Sequence, residues 1–317
     1  MLVPEVEAAT TNDLAIVVQA DTEETARRAL ELAELHLARQ REGAGAESTF
    51  QPRTIRGAVR NAPQANLVII SVPGPYAAAE AWEALRNGLH VFLFSDNVPL
   101  EDEIALKQYA AQQGLLMMGP DCGTAIINGV ALGFANVVPR GPVGIVAAAG
   151  TGLQEVSALL ARREVGISQA IGTGGRDLKE AVGGITMLEG LKALQADDST
   201  QVLVLISKPP APVIARRVLE QVEEGDKPTV VCFLGGNPAP IAAAGAIPAR
   251  TLQEAACLVA AEVEGQADSP VDELIERETV DLQAQALELK EKLTFEQRYL
   301  RGLFSGGTLA AEALVVW

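Results

Sequence analysis

Aromatic side chains make up only 4% of the 317 residues, and there are three cysteines, two histidines and 25 basic residues against 41 acidic ones. Each scarcity excludes something. Hydrophobic residues still reach 48%, so the core is built from Ala, Val, Leu and Ile, as in layered α/β proteins whose parallel strands are buried on both faces. Cys122, Cys232 and Cys257 are odd in number and widely spaced. They form no disulfide framework and point to a reducing, cytoplasmic setting. A formal charge of −16 without a basic tract excludes nucleic acid as a partner on electrostatic grounds. Any anionic substrate must be held by local donors and not by a global field. No apolar run approaches the roughly 20 residues of a membrane-spanning helix, and the start "MLVPEVEAATTND" is too acidic for a signal peptide. The dinucleotide fingerprint G-x-G-x-x-G is also missing. Asp21-Thr22-Glu23-Glu24 follows the first expected strand, and an acidic turn repels pyrophosphate, so NAD is not expected.

What is present is a regular alternation of apolar runs and helical patterns. Strands are expected at Leu14–Ala20, Asn66–Val72, His90–Phe94 and Leu115–Met118, then at Val143–Ala148, Ser168–Ile171, Gln201–Ile206 and Thr229–Phe233. Helices are expected between them, the first capped by Asp21 with Glu24 completing a capping box. Buried strands alternating with helices mean parallel, doubly wound sheets. Pro139-Arg140-Gly141-Pro142 reads as a domain boundary. The expected organisation is one α/β domain over residues 1–139, a second over 140–265, and a charged helical arm over 266–317. The arm ends on "LFSGGTLAAEALVVW", a glycine turn opening a helix. That suggests a further domain, or docking of the segment on a partner.

Ligands of open parallel sheets bind beyond the carboxyl ends of the strands. The stretch "AAAGTGLQE" (Ala147–Glu155) reads as strand, glycine turn and helix, which turns backbone N–H groups and the positive end of a helix dipole toward an anion. Gly150, Thr151 and Gly152 are therefore candidate phosphate ligands, with Glu155 one turn into the helix. Other strand ends supply Gly174, Gly175 and Arg176 in "GTGGRD" and Lys208 in "SKPP". The first domain contributes Ser71, Val72 and Pro73, then Ser95, Asp96 and Asn97, then Asp121 and Cys122. Cys122 reads as a small buried loop residue more than as a nucleophile, and Asp96-Asn97 equally suit a plain turn. His36 and His90 read as structural, Cys232 and Cys257 as core. No metal-ligand set is visible.

These loops, in this order, resemble the succinyl-CoA synthetase α-subunit superfamily. "ANLVIISVPGPYAAAEAWEAL" is similar to its segment bearing V-P-P-P-F-A-A-A. "MGPDCGT" is similar to its G-P-N-C motif, "AGTGLQE" to S-G-T-L-T-Y-E, and "GTGGRDL" to G-I-G-G-D-P. "FSDNVPLEDEIALKQYA", "SKPP", "FLGG" and "SGGTLAAEA" resemble the FdrA-type branch. The resemblance runs from about Asn12 to the end. It implies a CoA-binding-type Rossmann domain followed by a flavodoxin-like ligase domain, with Ser71–Pro73, Ser95–Asn97, Asp121 and Cys122 lining a nucleotide or CoA crevice.

The chain departs from that pattern where the phosphate chemistry lies. True succinyl-CoA synthetases carry a histidine in a G-H-A-G-A loop, and the corresponding "GGNPAPIAAAGAIPAR" has none. Lys208 stands where they have an acidic residue, and Gly174-Gly175-Arg176 where they have G-G-D. A site without the histidine but with added cations binds phosphate as a substrate. The branch resembles subunits of oxamate carbamoyltransferase. The leading expectation is thus a carbamoyltransferase subunit converting oxalurate and phosphate to oxamate and carbamoyl phosphate in purine (allantoin) breakdown, working with other subunits of a hetero-oligomeric enzyme. Thr151, Lys208, Arg176 and Glu155 are its expected catalytic residues, with no certain cofactor beyond substrate phosphate, and CoA or a nucleotide as further candidates. An ADP-forming acyl-CoA synthetase subunit and a non-catalytic scaffold are the competing readings.

Overall fold

The structure is a computed structural model that describes residues 16–18, 20–42, 52–267, 270–294, 296–299 and 301–317. The chain divides into two compact units, Met1–Thr54 and Ile55–Trp317. In the first, helix α1 spans Glu23–Glu42. Its cap is Thr22, whose hydroxyl accepts from the Thr25 N–H at 3.2 Å, one residue after the expected Asp21. The strand expected at Leu14–Ala20 falls partly outside the described residues, and residues 16–18 and 20 carry no strand.

The second unit holds two sheets. After α2 (Ile55–Asn61), a three-stranded parallel sheet runs in the order β1 (Leu67–Ile70), β2 (His90–Leu93), β3 (Met117–Met118), with α3 (Gly74–Arg86) and α4 (Leu100–Gln112) as crossovers. The larger sheet has seven strands: β4 (Thr124–Ile127), β5 (Val130–Gly133), β6 (Arg140–Ala147), β7 (Ile167–Gly172), β8 (Val202–Ser207), β9 (Thr229–Phe233) and β10 (Ile247–Pro248). Their spatial order is β10-β9-β8-β6-β7-β4-β5. Strands β6 to β10 pair in parallel. Helices α5 (Gly150–Arg162), α6 (Ile185–Ala196), α7 (Pro212–Glu223), α8 (Pro238–Ala243) and α9 (Leu252–Glu264) cover the sheet.

Side-chain alternation explains the layers. Ile145, Ala147, Val204, Ile206, Val230 and Cys232 point to one face, where they pack with Leu153, Val156 and Leu160 of α5 and with Leu252, Ala256 and Val259 of α9. Their neighbours Val146, Leu203, Leu205, Val231 and Phe233 point to the other face, against Met187 and Leu191 of α6 and Ile214 and Val218 of α7. A strand buried on both faces must be apolar at every position, which is why these runs stand out in the sequence.

Strands β4 and β5 correct the expected organisation. They form an antiparallel hairpin whose turn residues Asn128 and Gly129 have φ of 51° and 80°, the left-handed pair of a two-residue hairpin turn. β4 then pairs antiparallel with β7. Residues 124–133 thus belong to the second sheet, which is mixed, although they precede the expected boundary at 139. Helix α10 (Val271–Lys292) forms the expected arm, and Ile275 packs against Cys257 and Ala261. Helix α11 (Gly307–Val316) returns to the second sheet, where Leu309 packs on the core shared by α5 and α9. No described helix is long and apolar enough to cross a membrane.

Candidate functional site

The strand order puts a crevice where β6 and its neighbours end. β6 stops at Ala147 and α5 begins at Gly150, with Ala149 as an N-cap that offers no side-chain cap. β8 stops at Ser207 and is followed by Lys208 and Pro209. α11 starts at Gly307, again without a side-chain cap. A cavity of about 710 Å³ opens among them, lined by Gly150, Thr151, Ser207, Lys208, Gly307 and Thr308, and also by Phe94, Asp121, Cys122, Thr124, Phe134, Gln154, Gly174, Gly175 and Lys179.

Two helix N-termini therefore face one space. Close packing brings them together. A Cβ on Gly306 would lie 2.4 Å from Thr151 Cγ2, and one on Gly152 would lie 3.2 Å from Thr308 Cγ2. Only glycine allows the two first turns to approach this closely. Lys208 Nζ lies 3.4 Å from where a Cβ of Gly307 would be and makes no ion pair among the described residues. The Ser207 hydroxyl is buried without a hydrogen-bond partner among them. Uncapped N–H groups, a free ammonium and an unused hydroxyl are the donors that an anion would need.

Of the residues singled out in the sequence, Gly150, Thr151, Gly174, Gly175, Lys208, Asp121 and Cys122 line this cavity. The others do not. Gly152 is buried beneath it against Ile206 and Thr308. Glu155 is half-buried on α5. It adds to the upward push that burial gives the Glu312 carboxyl, while the Leu252 N–H donates to that carboxylate. Arg176 turns away: its Nε lies 2.8 Å from Glu103 Oε2 and its Nη2 donates to the Val98 carbonyl at 2.8 Å. The crevice of the first sheet forms a separate cluster. Ser95 donates its hydroxyl to the Val72 carbonyl, Pro73 caps α3, and the backbone of Asp96 and Asn97 closes over Gly74.

What diverts Arg176 is a buried charge network that sequence reasoning missed. Lys107 on α4 is fully buried and lies 2.6 Å from Asp177 Oδ1 and 3.2 Å from Glu103 Oε1. It also donates to the Thr173 carbonyl at 2.9 Å. Asp177 in turn accepts from the N–H groups of Thr186 and Met187 at the start of α6. Each oxygen of Glu103 faces a cationic nitrogen, so two cations balance two carboxylates. The network ties α4 to the loop that carries Gly174 and Gly175. The i, i+4 spacing of Glu103 and Lys107 inside an otherwise apolar helix face was its one visible signal.

Gly174 has φ +88°, and a Cβ there would lie 2.3 Å from the Pro120 carbonyl oxygen. Gly174→Ala is expected to cost about 2–5 kcal/mol, the sum of left-handed strain and overpacking. Gly245→Ala, with φ +72° and nothing within 4 Å, should cost only the roughly 1–2 kcal/mol of strain. Urea titration of both variants measures the difference.

Cys122 is not poised as a nucleophile. Its Sγ donates to the Gly172 carbonyl at 3.3 Å, and burial pushes the thiol up to about 12. Cys232 is likewise pushed up to about 12 by burial and by nearby carboxylates. At neutral pH both should resist iodoacetamide in the folded chain and react in denaturant. Mass spectrometry of the alkylated peptides reads this directly.

Comparison with known proteins agrees with this architecture. The sequence model of the CoA binding domain family matches residues 140–235. The match falls on the second sheet and not on residues 1–139, where the resemblance placed such a domain. YahF of Escherichia coli (strain K12), described as an uncharacterized protein, is 46% identical over 99% of this chain and 59% of its own length. The α-subunit of ADP-forming succinate–CoA ligase from Methanothermobacter thermautotrophicus is 29% identical over 55% of this chain and 59% of its own length. The chain thus spans 59% of the length of these relatives. Among solved structures, ATP citrate lyase from Methanothrix soehngenii, in complex with citrate and coenzyme A, shares the fold. The TM-score is 0.58 at 16% identity, over 82% of this chain and 45% of that one. The chain thus carries a CoA-binding domain and is homologous to succinyl-CoA synthetase α-subunits, with the FdrA-type protein YahF among its relatives.

Proposed function

We propose that the cavity binds inorganic phosphate as a substrate and uses it to split a carbamoyl bond, making the chain the phosphate-handling subunit of a carbamoyltransferase that converts oxalurate and phosphate to oxamate and carbamoyl phosphate. The observation that supports this best is the meeting of Gly150–Thr151 and Gly307–Thr308, from two helix starts, with Ser207 and Lys208 in one cavity that no histidine lines. Donors fixed before reaction stabilise an anion without reorganising. A cavity of about 710 Å³ leaves room for a second small substrate beside the phosphate. The Gly174–Gly175 turn offers N–H groups to the oxygen on which charge develops. The remaining subunits would supply the rest of the active enzyme.

A second reading, an ADP-forming acyl-CoA synthetase subunit, draws on the homology to a succinate–CoA ligase α-subunit. It requires a phosphate carrier from another chain. One assay separates the two. The purified chain, assembled with its partner subunits, is given oxalurate and phosphate, with and without CoA. Carbamoyl phosphate formed in a phosphate-dependent, CoA-independent way, with no phosphohistidine at His36 or His90, supports the first. Nucleotide-dependent acyl-CoA formation with stoichiometric CoA binding would replace it with the second.

A further inference from the structure

Asp121 is the one carboxylate in the cavity whose position departs chemically from the superfamily motif: the stretch "MGPDCGT" puts an aspartate where G-P-N-C has an amide. Four features set it apart. It lines the same cavity as the phosphate donors. Its Oδ2 lies 3.6 Å from where a Cβ of Gly175 would stand, so the carboxylate sits over the bare glycine turn. Its backbone is held in the left-handed region at φ 57°, tethered by its own N–H to the Ser95 carbonyl at 3.0 Å and by the Cys122 N–H to the Leu93 carbonyl at 3.2 Å. Such strain in a non-glycine residue persists only where the surroundings over-determine it, and it gathers at functional sites. Finally, Phe94 and Phe134 stack edge-to-face at 5.2 Å in the same cavity, giving a planar ureide an apolar wall beside the carboxylate.

We propose that Asp121 is the proton-transfer residue of this site, and that the second substrate is a planar acyl-urea whose leaving nitrogen takes the proton Asp121 carries. The proposal rests on the phosphate-transfer reading above. As an oxygen of hydrogen phosphate bonds to the carbamoyl carbon, the Asp121 carboxylate takes the proton of the phosphate hydroxyl. The carbon–nitrogen bond then breaks, and the same proton passes to the departing amide nitrogen. Carbamoyl phosphate and a primary amide leave, Asp121 returns to its starting state, and atoms and charge balance without a further reactant. An asparagine cannot carry that proton.

The surroundings suit the role. Partial burial and the neighbouring Asp96 push the Asp121 carboxyl above the usual carboxylate range, and Arg176 opposes them. A raised value makes it a better base near neutrality. Lys179 and Glu180 from the loop after β7 and Lys208 after β8 line this space, and Asp96 from the loop after β2 and Arg176 act on Asp121 from outside it. A phosphate arriving among them favours the protonated form of Asp121, so binding takes up protons and phosphate affinity falls as pH rises through the Asp121 titration.

The test compares wild type with Asp121→Asn and Asp121→Glu in the assembled enzyme, using inorganic phosphate and oxalurate. Calorimetry in buffers of different ionisation enthalpy should show phosphate-linked proton uptake in wild type in excess of that in Asp121→Asn, with phosphate bound at least as tightly by the variant. Turnover by Asp121→Asn should fall by roughly 10²–10⁴-fold, the pH profile should lose its acid limb, and Asp121→Glu should recover part of the rate. Unchanged turnover, pH profile and proton uptake in Asp121→Asn, with wild type active, would overturn this inference alone. A wild-type enzyme that binds no phosphate, or binds it and splits no acyl-urea, would overturn the phosphate-transfer reading and this proposal with it.

Discussion

Lys208→Glu is expected to weaken phosphate binding by at least about 30-fold and to abolish phosphate-dependent turnover, while leaving the fold intact. Lys208 is exposed, has no ion-pair partner among the described residues and lies against Gly307 at the start of α11. A unit charge about 4 Å away is worth about 4 kcal/mol at an effective dielectric of about 20, and far less in open water. Retaining half of that at the cavity mouth already corresponds to about 30-fold in affinity, before the added repulsion of a carboxylate. The fold should be unaffected because exposed substitutions away from special features usually stay within about 0.5 kcal/mol. Thr151→Val is the milder companion. It keeps the volume packed against Gly306 and removes one hydroxyl, which should cost about tenfold or somewhat more if that hydroxyl bonds the anion. Phosphate titration calorimetry measures both. Wild-type affinity in Lys208→Glu would place the anion elsewhere.

Lys107→Met is expected to destabilise the chain by about 3–5 kcal/mol, because it leaves the carboxylates of Glu103 and Asp177 buried with one cation removed. All three side chains are fully buried, and Lys107 also satisfies the Thr173 carbonyl. The contrast is Lys192→Met. That lysine pairs with Glu189 at 3.1 Å, but the two side chains are 53% and 35% exposed, and such pairs contribute about 0–1 kcal/mol. Denaturant titration of the two variants should separate them by several kcal/mol. Equal, small effects would mean that the buried network does not hold the two sheets and the glycine loop in place.

The sequence made the three-layer α/β/α core legible because each central strand of the larger sheet is buried on both faces and therefore reads as an unbroken apolar run. Val143–Ala148 and Gln201–Ile206 stand within three residues of β6 and one residue of β8 at each end. The glycine turn at Gly150 was legible for the same reason: a glycine between such a run and a helical pattern falls at the carboxyl edge of a parallel sheet. The hairpin β4–β5 was missed even though Asn128-Gly129 between "TAII" and "VALG" is a strong turn signal. Its pairing with β7, some forty residues on, is a tertiary choice that local pattern does not encode. Arg176 misled for a related reason. Its position beside Gly174-Gly175 suggests a substrate contact, but its partner Glu103 sits on α4, a crossover helix of the smaller sheet. The site's other half, Gly307 and Thr308, was visible as a glycine turn. Its docking against Gly152 depends on how the helical arm returns, and no periodicity in the sequence reports that path.

The most direct measurement is a diffraction structure of the chain with phosphate bound. The account predicts one phosphate between the first turns of α5 and α11, its oxygens about 2.7–3.1 Å from backbone N–H groups of both helices, with Lys208 Nζ and the Ser207 hydroxyl as further donors. Saturating phosphate that leaves this cavity empty, or that occupies the Ser71–Pro73 and Ser95–Asn97 crevice of the first sheet instead, would contradict it.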